Sequence, residues 1–356
     1  MFAKFRNIRY TDTHGRWIHP MKIAIDVMGG DNAPDAVVEG CAMALSKLGQ
    51  DASLVLFGEE RALQSLTARF GLASDRVELV AAGQRIGCDE SPTQAIRQKK
   101  DSSLVRALNS VAAGEADCIV SAGNTGALLT GATLIIKRID GVKRPALAPV
   151  LPTKTGGHVL LLDSGANTDC KPQYLQQFAL MGAAYMEKVM GVKNPRIGLL
   201  NNGAEAEKGN ELTKAVYPLL QNTPVNFAGN CEARETLSGD FDVVVADGFD
   251  GNVLLKSIEG TASVMMSLLK DALFSSVRTK IGAALAKPAF RALKRSLDYT
   301  EAGGAPLLGV RGGVIKAHGS SNAKAFCHAI LQAERLIRGN VAQIIADSVA
   351  ALPEED

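Results

Sequence analysis

Glycine recurs in this chain beside asparagine, aspartate, serine and histidine, in short segments that each follow a run of apolar residues. The first is Asp26-Val27-Met28-Gly29-Gly30-Asp31-Asn32-Ala33-Pro34. The next are Ser121 to Ala127, which holds Asn124, Thr125 and Gly126, and Asp163-Ser164-Gly165-Ala166-Asn167. Asn201 to Glu205 follows, with Lys208 and Asn210 downstream, and then Gly229 to Glu232. Asp247 to Asn252 leads to Lys256, and His318 to Asn322, with Ser320 inside it, comes shortly after Arg311-Gly312-Gly313. Such segments suit anion handling. Glycine lets the backbone approach a ligand closely and adopt positive φ. Exposed N–H groups at a helix start attract anions, and Pro34 suits a first helical turn. Each segment alone is ordinary turn chemistry. Together, at the ends of apolar runs, they predict one rim built for a polar, anionic ligand.

Other chemistries are excluded by pattern. The chain has no GxxxxGK[ST], no GxGxxG after its first apolar run and no HExxH. It has no GxSxG nucleophile elbow. The six cysteines, Cys41, Cys88, Cys118, Cys170, Cys231 and Cys327, form no CxxC or Cys/His cluster. A structural zinc site is therefore not expected, and the cysteines read as reduced thiols of a cytosolic protein. A net charge of +2 and a single Trp give no footprint for nucleic acid. Hydrophobic residues at 46% and charged residues at 21% fit a soluble globular chain.

The elements that must carry these loops follow from periodicity. Short β-branched or Leu-rich runs predict strands over 22–27, 53–57, 77–80, 118–120, 158–162, 196–200, 225–228 and 242–246. Helical spacing predicts helices over 34–48, 101–113, 173–190, 205–219 and 253–274. Buried strands alternating with helices imply an α/β fold: a layered, largely parallel sheet with helices on both faces. Ligands of such sheets bind beyond the carboxyl ends of the strands, which is where the polar loops fall. The charge-free run from Cys118 to Ile136 approaches the length of a membrane span. Its Ser, Gly, Asn and Thr content fits strand, loop and helix better than the apolar stretch a span needs.

Two regions stand apart. Residues 1–20 read as a disordered basic tail, with Lys4, Arg6, Arg9 and Arg16 and no secretory pattern. The remaining 21–350 read as one α/β catalytic domain. Within it, an amphipathic helical excursion spans about 260–300. It carries Arg278, Lys280, Lys287, Arg291, Lys294 and Arg295 interleaved with Ile281, Leu285, Phe290, Leu293 and Leu297. A basic amphipathic stretch suits an anionic lipid surface or an acidic protein partner; a solvated hairpin at a dimer contact is the plainer alternative.

IDVMGGDNAP, SAGNTGALL, LLDSGAN followed by DCKPQYLQQFA, NPRIGLLNNGAEAEKGN, GNCEAR, DVVVADGFDGNVLLK and HGSSNAKA together resemble the bacterial phosphate acyltransferase family, from about Met21 to about Ile345. The resemblance implies a fold of the isocitrate and isopropylmalate dehydrogenase type, shared with phosphotransacetylase, and a homodimer without a tightly held cofactor. It also implies conversion of acyl carrier protein thioesters and orthophosphate to acyl phosphates, which feed a glycerol-3-phosphate acyltransferase in phospholipid synthesis. The implied location is cytoplasmic, at the inner face of the cell membrane.

Orthophosphate is itself a nucleophile, so the protein must supply position and charge neutralisation. Gly29, Gly30 and Gly126 offer backbone N–H groups. Asn124, Thr125, Asn167 and Asn201 are candidates to orient phosphate or the pantetheine arm. Lys208, Lys256 and Arg311 are candidate cations, and His318 is a candidate acid for the leaving thiolate. Asp26 joins the catalytic set; Asp31, Asp163, Glu205, Asp247, Asn252 and Ser320 complete the predicted substrate-binding set. Plainer roles stay open: Asp26 and Asp163 as turn caps, Lys256 as a helix-surface lysine and His318 as a loop brace. A phosphotransacetylase using coenzyme A thioesters and a non-catalytic lipid-binding scaffold are the rival functions. A decarboxylating dehydrogenase of the same fold lacks its metal-binding aspartate spacing here.

Overall fold

The computed structural model describes residues 21–290 and 303–353, with the backbone of 10–11 and 17–18. In the stretch read as a tail, β1 (Tyr10–Thr11) and β2 (Trp17–Ile18) pair antiparallel; the rest of 1–20 lies outside the described residues.

Two mostly parallel sheets form the frame. The larger runs β5 (Val77–Ala81), β4 (Ala52–Gly58), β3 (Met21–Asp26), β6 (Cys118–Ser121), β14 (Gly313–Lys316), β13 (Ala305–Leu308) and β7 (Ala146–Leu147). Its first five strands are parallel, and β13 pairs antiparallel with both β14 and β7. The smaller runs β11 (Asn226–Glu232), β10 (Arg196–Asn201), β12 (Val243–Val245), β9 (His158–Leu162) and β8 (Val150–Pro152), with only β8 antiparallel. The segment 146–152 belongs to both: Leu147 pairs with Leu307 in the first sheet and Leu151 with Val159 in the second.

Side-chain alternation along each strand fills separate cores. Ile23 and Ile25 of β3, with Leu160 and Leu162 of β9, enter one continuous core. Phe178 and Tyr185 of α6 (Pro172–Lys188) and Phe326 of the helix Ala323–Arg338 pack between them. Ala24 faces the other way, onto Leu104 and Leu108 of α4 (Ser103–Ala112). Val159 and Leu161 face a third cluster, against which Leu254, Leu255 and Ile258 of α8 (Gly248–Phe274) pack. The sheets are thus covered on both faces, as parallel strands require.

Boundaries shift where local chemistry intervenes. The helix expected over 205–219 begins only at Glu211, as α7 (Glu211–Gln221). Gly209 takes φ +107 and the Asn210 side chain caps Thr213 N, so the preceding Asn201 to Lys208 stays a loop. The charge-free run becomes β6, α5 (Thr125–Gly131) and a π-helical turn, Ala132–Ile136. Among the described residues, no helix is long and apolar enough to cross a membrane.

The excursion is helical as far as it is described. After Ile258, α8 leaves the body of the protein, and α9 (Val277–Leu285) follows a capping box at Ser276 with no buried residue. Arg278, Lys280 and Lys287 are exposed there. Arg291, Lys294 and Arg295, on the expected second arm of the hairpin, lie outside the described residues.

Candidate active site

Three adjacent parallel strands of the larger sheet end in step. Register places Asp26 of β3 opposite Ser121 of β6, and Ser121 opposite Lys316 of β14. The side chains at these ends are buried. Asp26 Oδ1 accepts from Ser103 Oγ at 2.5 Å, and Oδ2 accepts from Ser121 Oγ at 2.7 Å. Ser103 opens α4, whose start is capped by Ser102. Burial raises the Asp26 carboxyl pKa, while the two hydroxyls, the Met28 N–H and the charge of Lys316 oppose the shift. Lys316 is only 8% exposed, and its Nζ donates to the carbonyl oxygens of Ala122 and Ala317. Burial pushes its ammonium pKa down to about 8; Cys88, Asp26 and Asp31 pull it back, and Lys256 adds to the depression.

Glycines let three loops meet over this row. A Cβ on Gly29 would lie 2.5 Å from Asp26 Oδ2 and 2.8 Å from Gly123 N. Gly30 takes φ +110. Asp31 N donates to Gly319 O at 2.9 Å, and Asn32 Nδ2 donates to Ser320 O at 3.0 Å. The loops at 26–34, 121–127 and 318–322 therefore converge, as the one-rim expectation requires of them. Ser320 holds His318: its N–H donates to His318 Nδ1, and its Oγ lies 2.8 Å from the same nitrogen.

Asn124 has a structural occupation. Its Oδ1 caps Ala127 N at 3.0 Å, and its Nδ2 donates to the carbonyls of Gly87, Cys88 and Glu90. It pins the 87–90 loop beside the site, which brings Cys88 near Lys316. Gly126 makes room for Pro92, whose Cγ would stand 2.5 Å from a Cβ there, and Thr125 is exposed beside it.

The remaining loops belong to the smaller sheet, so the predicted single rim is two. Asp163, fully buried, accepts N–H bonds from Leu147, Ala166 and Asn167 and from the Asn167 side chain. Burial raises its carboxyl pKa against the pull of these donors. Asn167 also donates to Pro145 O, and its carbonyl accepts from Gly248 N. A Cβ on Gly251 would lie 1.9 Å from Asp163 O. Asp247 caps α8 by accepting from Asp250 N, and Asn252 packs beside Gly165. Asp163, Asn167 and Asp247 thus seat the start of α8.

The predicted cations divide. Lys256, exposed on α8, pairs with Glu259 at 2.6 Å yet remains close enough to act on Lys316. Lys208 is exposed, its stem across Gly203, in the loop that Asn201 ties by donating to Lys208 O. Glu205 is exposed in that loop, and its carbonyl accepts from Asn230 Nδ2. Arg311 precedes β14, at the end opposite Lys316, where its guanidinium bonds Asp140 and Arg138 O. It does not reach the Asp26 row. The residues that reading by motif overlooks are Lys316 and Ser103; the signal for the first is a charged residue closing the otherwise apolar strand Gly313–Lys316.

Cys170 and Cys231 lie inside family motifs, but burial pushes each thiol up to about 12, which leaves little thiolate. Among the described residues, no cluster of His, Cys, Asp and Glu is arranged to hold a metal ion.

The buried ammonium has a consequence for stability. The Lys316 pKa falls from 10.5 to about 8 on folding. Below about pH 8 both states carry the proton, and the burial cost is fully present; between about 8 and about 10 the unfolded chain binds more protons, so stability from this group rises with pH. In phosphate-free buffer, the melting temperature of the wild type minus that of Lys316→Met should increase across that window. A constant difference would contradict a buried ammonium.

The model of the fatty acid synthesis protein family matches residues 21–344. The chain is 48% identical over 334 residues to the phosphate acyltransferase of Anoxybacillus flavithermus, covering 94% of this chain and 100% of that one. It is 51% identical over 313 residues to the phosphate acyltransferase of Clostridium acetobutylicum, covering 88% and 94%. Among solved structures, a phosphotransacetylase from Streptococcus pyogenes superposes with a TM-score of 0.57 at 16% identity, over 88% of this chain and 93% of that one. A branched-chain phosphotransacylase from Enterococcus faecalis gives 0.52 at 17%, over 89% and 99%. These likenesses show a shared fold, in keeping with the layered α/β architecture expected. The family match spans both polar rims and the start of α8 between them, and the chain belongs to the fatty acid synthesis protein family.

Proposed function

We propose that this protein is a phosphate acyltransferase that moves a fatty acyl group from acyl carrier protein to orthophosphate, releasing acyl phosphate and the free carrier protein. The observation that carries the reading is the buried row Asp26–Ser121–Lys316, where three glycine-bearing loops meet around a cation at adjacent strand ends. Relatives about half identical along nearly their whole length bear the name of this activity.

In the reaction, a phosphate oxygen attacks the thioester carbonyl, the C–O bond forms and the C–S bond breaks. The proton of hydrogen phosphate ends on the sulfur. Protein groups need only hold the reactants together and stabilise the oxyanion. Asp26, Gly29, Gly30 and Asp31 form the phosphate side. His318, steadied by Ser320, serves as the proton relay to the leaving sulfur. The start of α8, with Asn252 and Lys256, forms the side from which the pantetheine arm enters. The protein acts as a cytoplasmic homodimer whose product passes to a membrane acyltransferase.

Incubation with palmitoyl acyl carrier protein and orthophosphate, followed by hydroxylamine trapping, should give phosphate-dependent hydroxamate. No hydroxamate with any donor would sink the chemistry. Product with palmitoyl-coenzyme A alone would move the donor assignment to coenzyme A.

The protruding helices support a second element of the proposal, reversible attachment to an anionic membrane surface. Val264, Met265, Leu268, Phe274, Val277, Ile281 and Leu285 are exposed, among Arg278, Lys280 and Lys287. An apolar face flanked by cations inserts into a lipid interface, each cation adding about 1 kcal/mol near anionic lipid. Flotation with phosphatidylserine vesicles should be strong for the wild type and weak for Arg278→Glu/Lys280→Glu/Lys287→Glu. Equal flotation of both would remove this element.

A further inference from the structure

Lys316 is a charged group in a place that disfavours charge. Burying an ammonium costs several kcal/mol unless partners compensate. Among the described residues, no carboxylate pairs with its Nζ, which bonds to the carbonyls of Ala122 and Ala317 while Asp26 and Asp31 act on it only through space. An ammonium has three donors, so one N–H remains for a ligand. The nearest acid by register, Asp26, has both oxygens engaged by Ser103 and Ser121. The loops overhead pack closely on the row, Gly29 against Gly123 and Gly30 against Ala122, and a Cβ on Gly319 would face Asp31 at 3.5 Å. Such an arrangement keeps a cation desolvated and aimed, which is where electrostatic stabilisation is strongest.

We propose that Lys316 is the catalytic cation, its ammonium binding the attacking phosphate and then the charge that develops on the tetrahedral carbonyl oxygen, with Asp26 as a positioning residue held by Ser103 and Ser121. The proposal rests on the acyl-transfer reading and replaces Lys208 and Arg311 in the phosphate role. Lys316 keeps its proton through the step. The proton lost by hydrogen phosphate is the one gained by the leaving sulfur, so the reaction balances without a co-reactant. The groups that face Lys316 are Asp26 on β3, Asp31 in the following loop, Cys88 in the 82–91 loop and Lys256 on α8. Its ammonium, depressed to about 8, is charged at neutral pH and is lost as pH rises. Phosphate use should therefore fall on the alkaline side.

Two readouts test the assignment. In hydroxamate assays, Lys316→Gln should lower kcat/KM for phosphate by about 10²-fold and leave the KM for palmitoyl acyl carrier protein unchanged. Lys316→Arg keeps a charge at all accessible pH; it should recover part of the activity and lack the alkaline fall expected near pH 8 in the wild type. Independently of the acyl donor, orthophosphate should raise the melting temperature of the wild type and of Lys316→Arg but not of Lys316→Gln. Unchanged phosphate kinetics and unchanged phosphate protection in Lys316→Gln would overturn the proposal, as would absence of phosphate protection in the wild type. Phosphate protection that depends on Lys316, in a wild type that makes no acyl phosphate, would support the anion site while rejecting the acyl-transfer reading.

Discussion

The burial of a carboxylate and an ammonium at the ends of β3 and β14, on either side of β6, constrains everything near them. Neither Asp26 nor Lys316 is neutralised by direct pairing. Each is instead held by groups that the fold must deliver: Ser103 from the first turn of α4, Ser121 from β6, and carbonyls at the ends of β6 and β14. Delivering them requires three parallel strands that end at the same level, and helices that start immediately beyond. It also requires small residues where loops cross, which is why Gly29 and Gly123 approach backbone to backbone. Hydrophobic replacements of equal volume are often as stable as buried charges or more so. Retaining the charges there favours a ligand-directed purpose over a structural one.

Asp163 makes the contrast. It too is a buried aspartate at the carboxyl end of a parallel strand, and it too has a raised pKa. Its partners, however, are N–H groups of the backbone and of Asn167, all belonging to the loop and strand it holds in place. Among the described residues, no cation is buried beside it. One aspartate is braced by two hydroxyls in the row that ends in a buried lysine; the other fastens the joint between the two sheets and seats the start of α8, where Gly251 alone fits against Asp163 O. The joint fixes the position of Lys256 relative to Lys316, and so links the second sheet to the electrostatics of the first.

Much of this was legible in the residues. Short β-branched or Leu-rich runs bounded by Gly, Asn, Ser or Asp fall where the central parallel strands are, because a strand buried on both faces admits little else. β7, β8, β13 and β14 escape that reading: they are two to four residues long, and Pro145, Pro149, Pro152 and Pro306 interrupt the apolar runs around the first three. The polar loops are legible as strand-end segments, and 26–34, 121–127 and 318–322 do meet. Their division between two sheets is not legible, because strand order depends on crossovers rather than local composition. Arg311 shows the same limit. It stands five residues before Lys316, but a strand lies between them, so they occupy opposite ends of β14. Asn124 looks like a ligand donor by residue type, whereas its amide is consumed by a cap and three carbonyls.

The central claim is that the ligand-binding rim is the one bearing Asp26, Ser121 and Lys316, not the one bearing Asn201 and Lys208. Crystals of the protein soaked in orthophosphate would decide between them. The account predicts tetrahedral density beyond the carboxyl ends of β3, β6 and β14, within hydrogen-bond reach of Lys316 Nζ. Density confined to the Asn201–Lys208 loop, with Lys316 bonded only to Ala122 and Ala317, would contradict it.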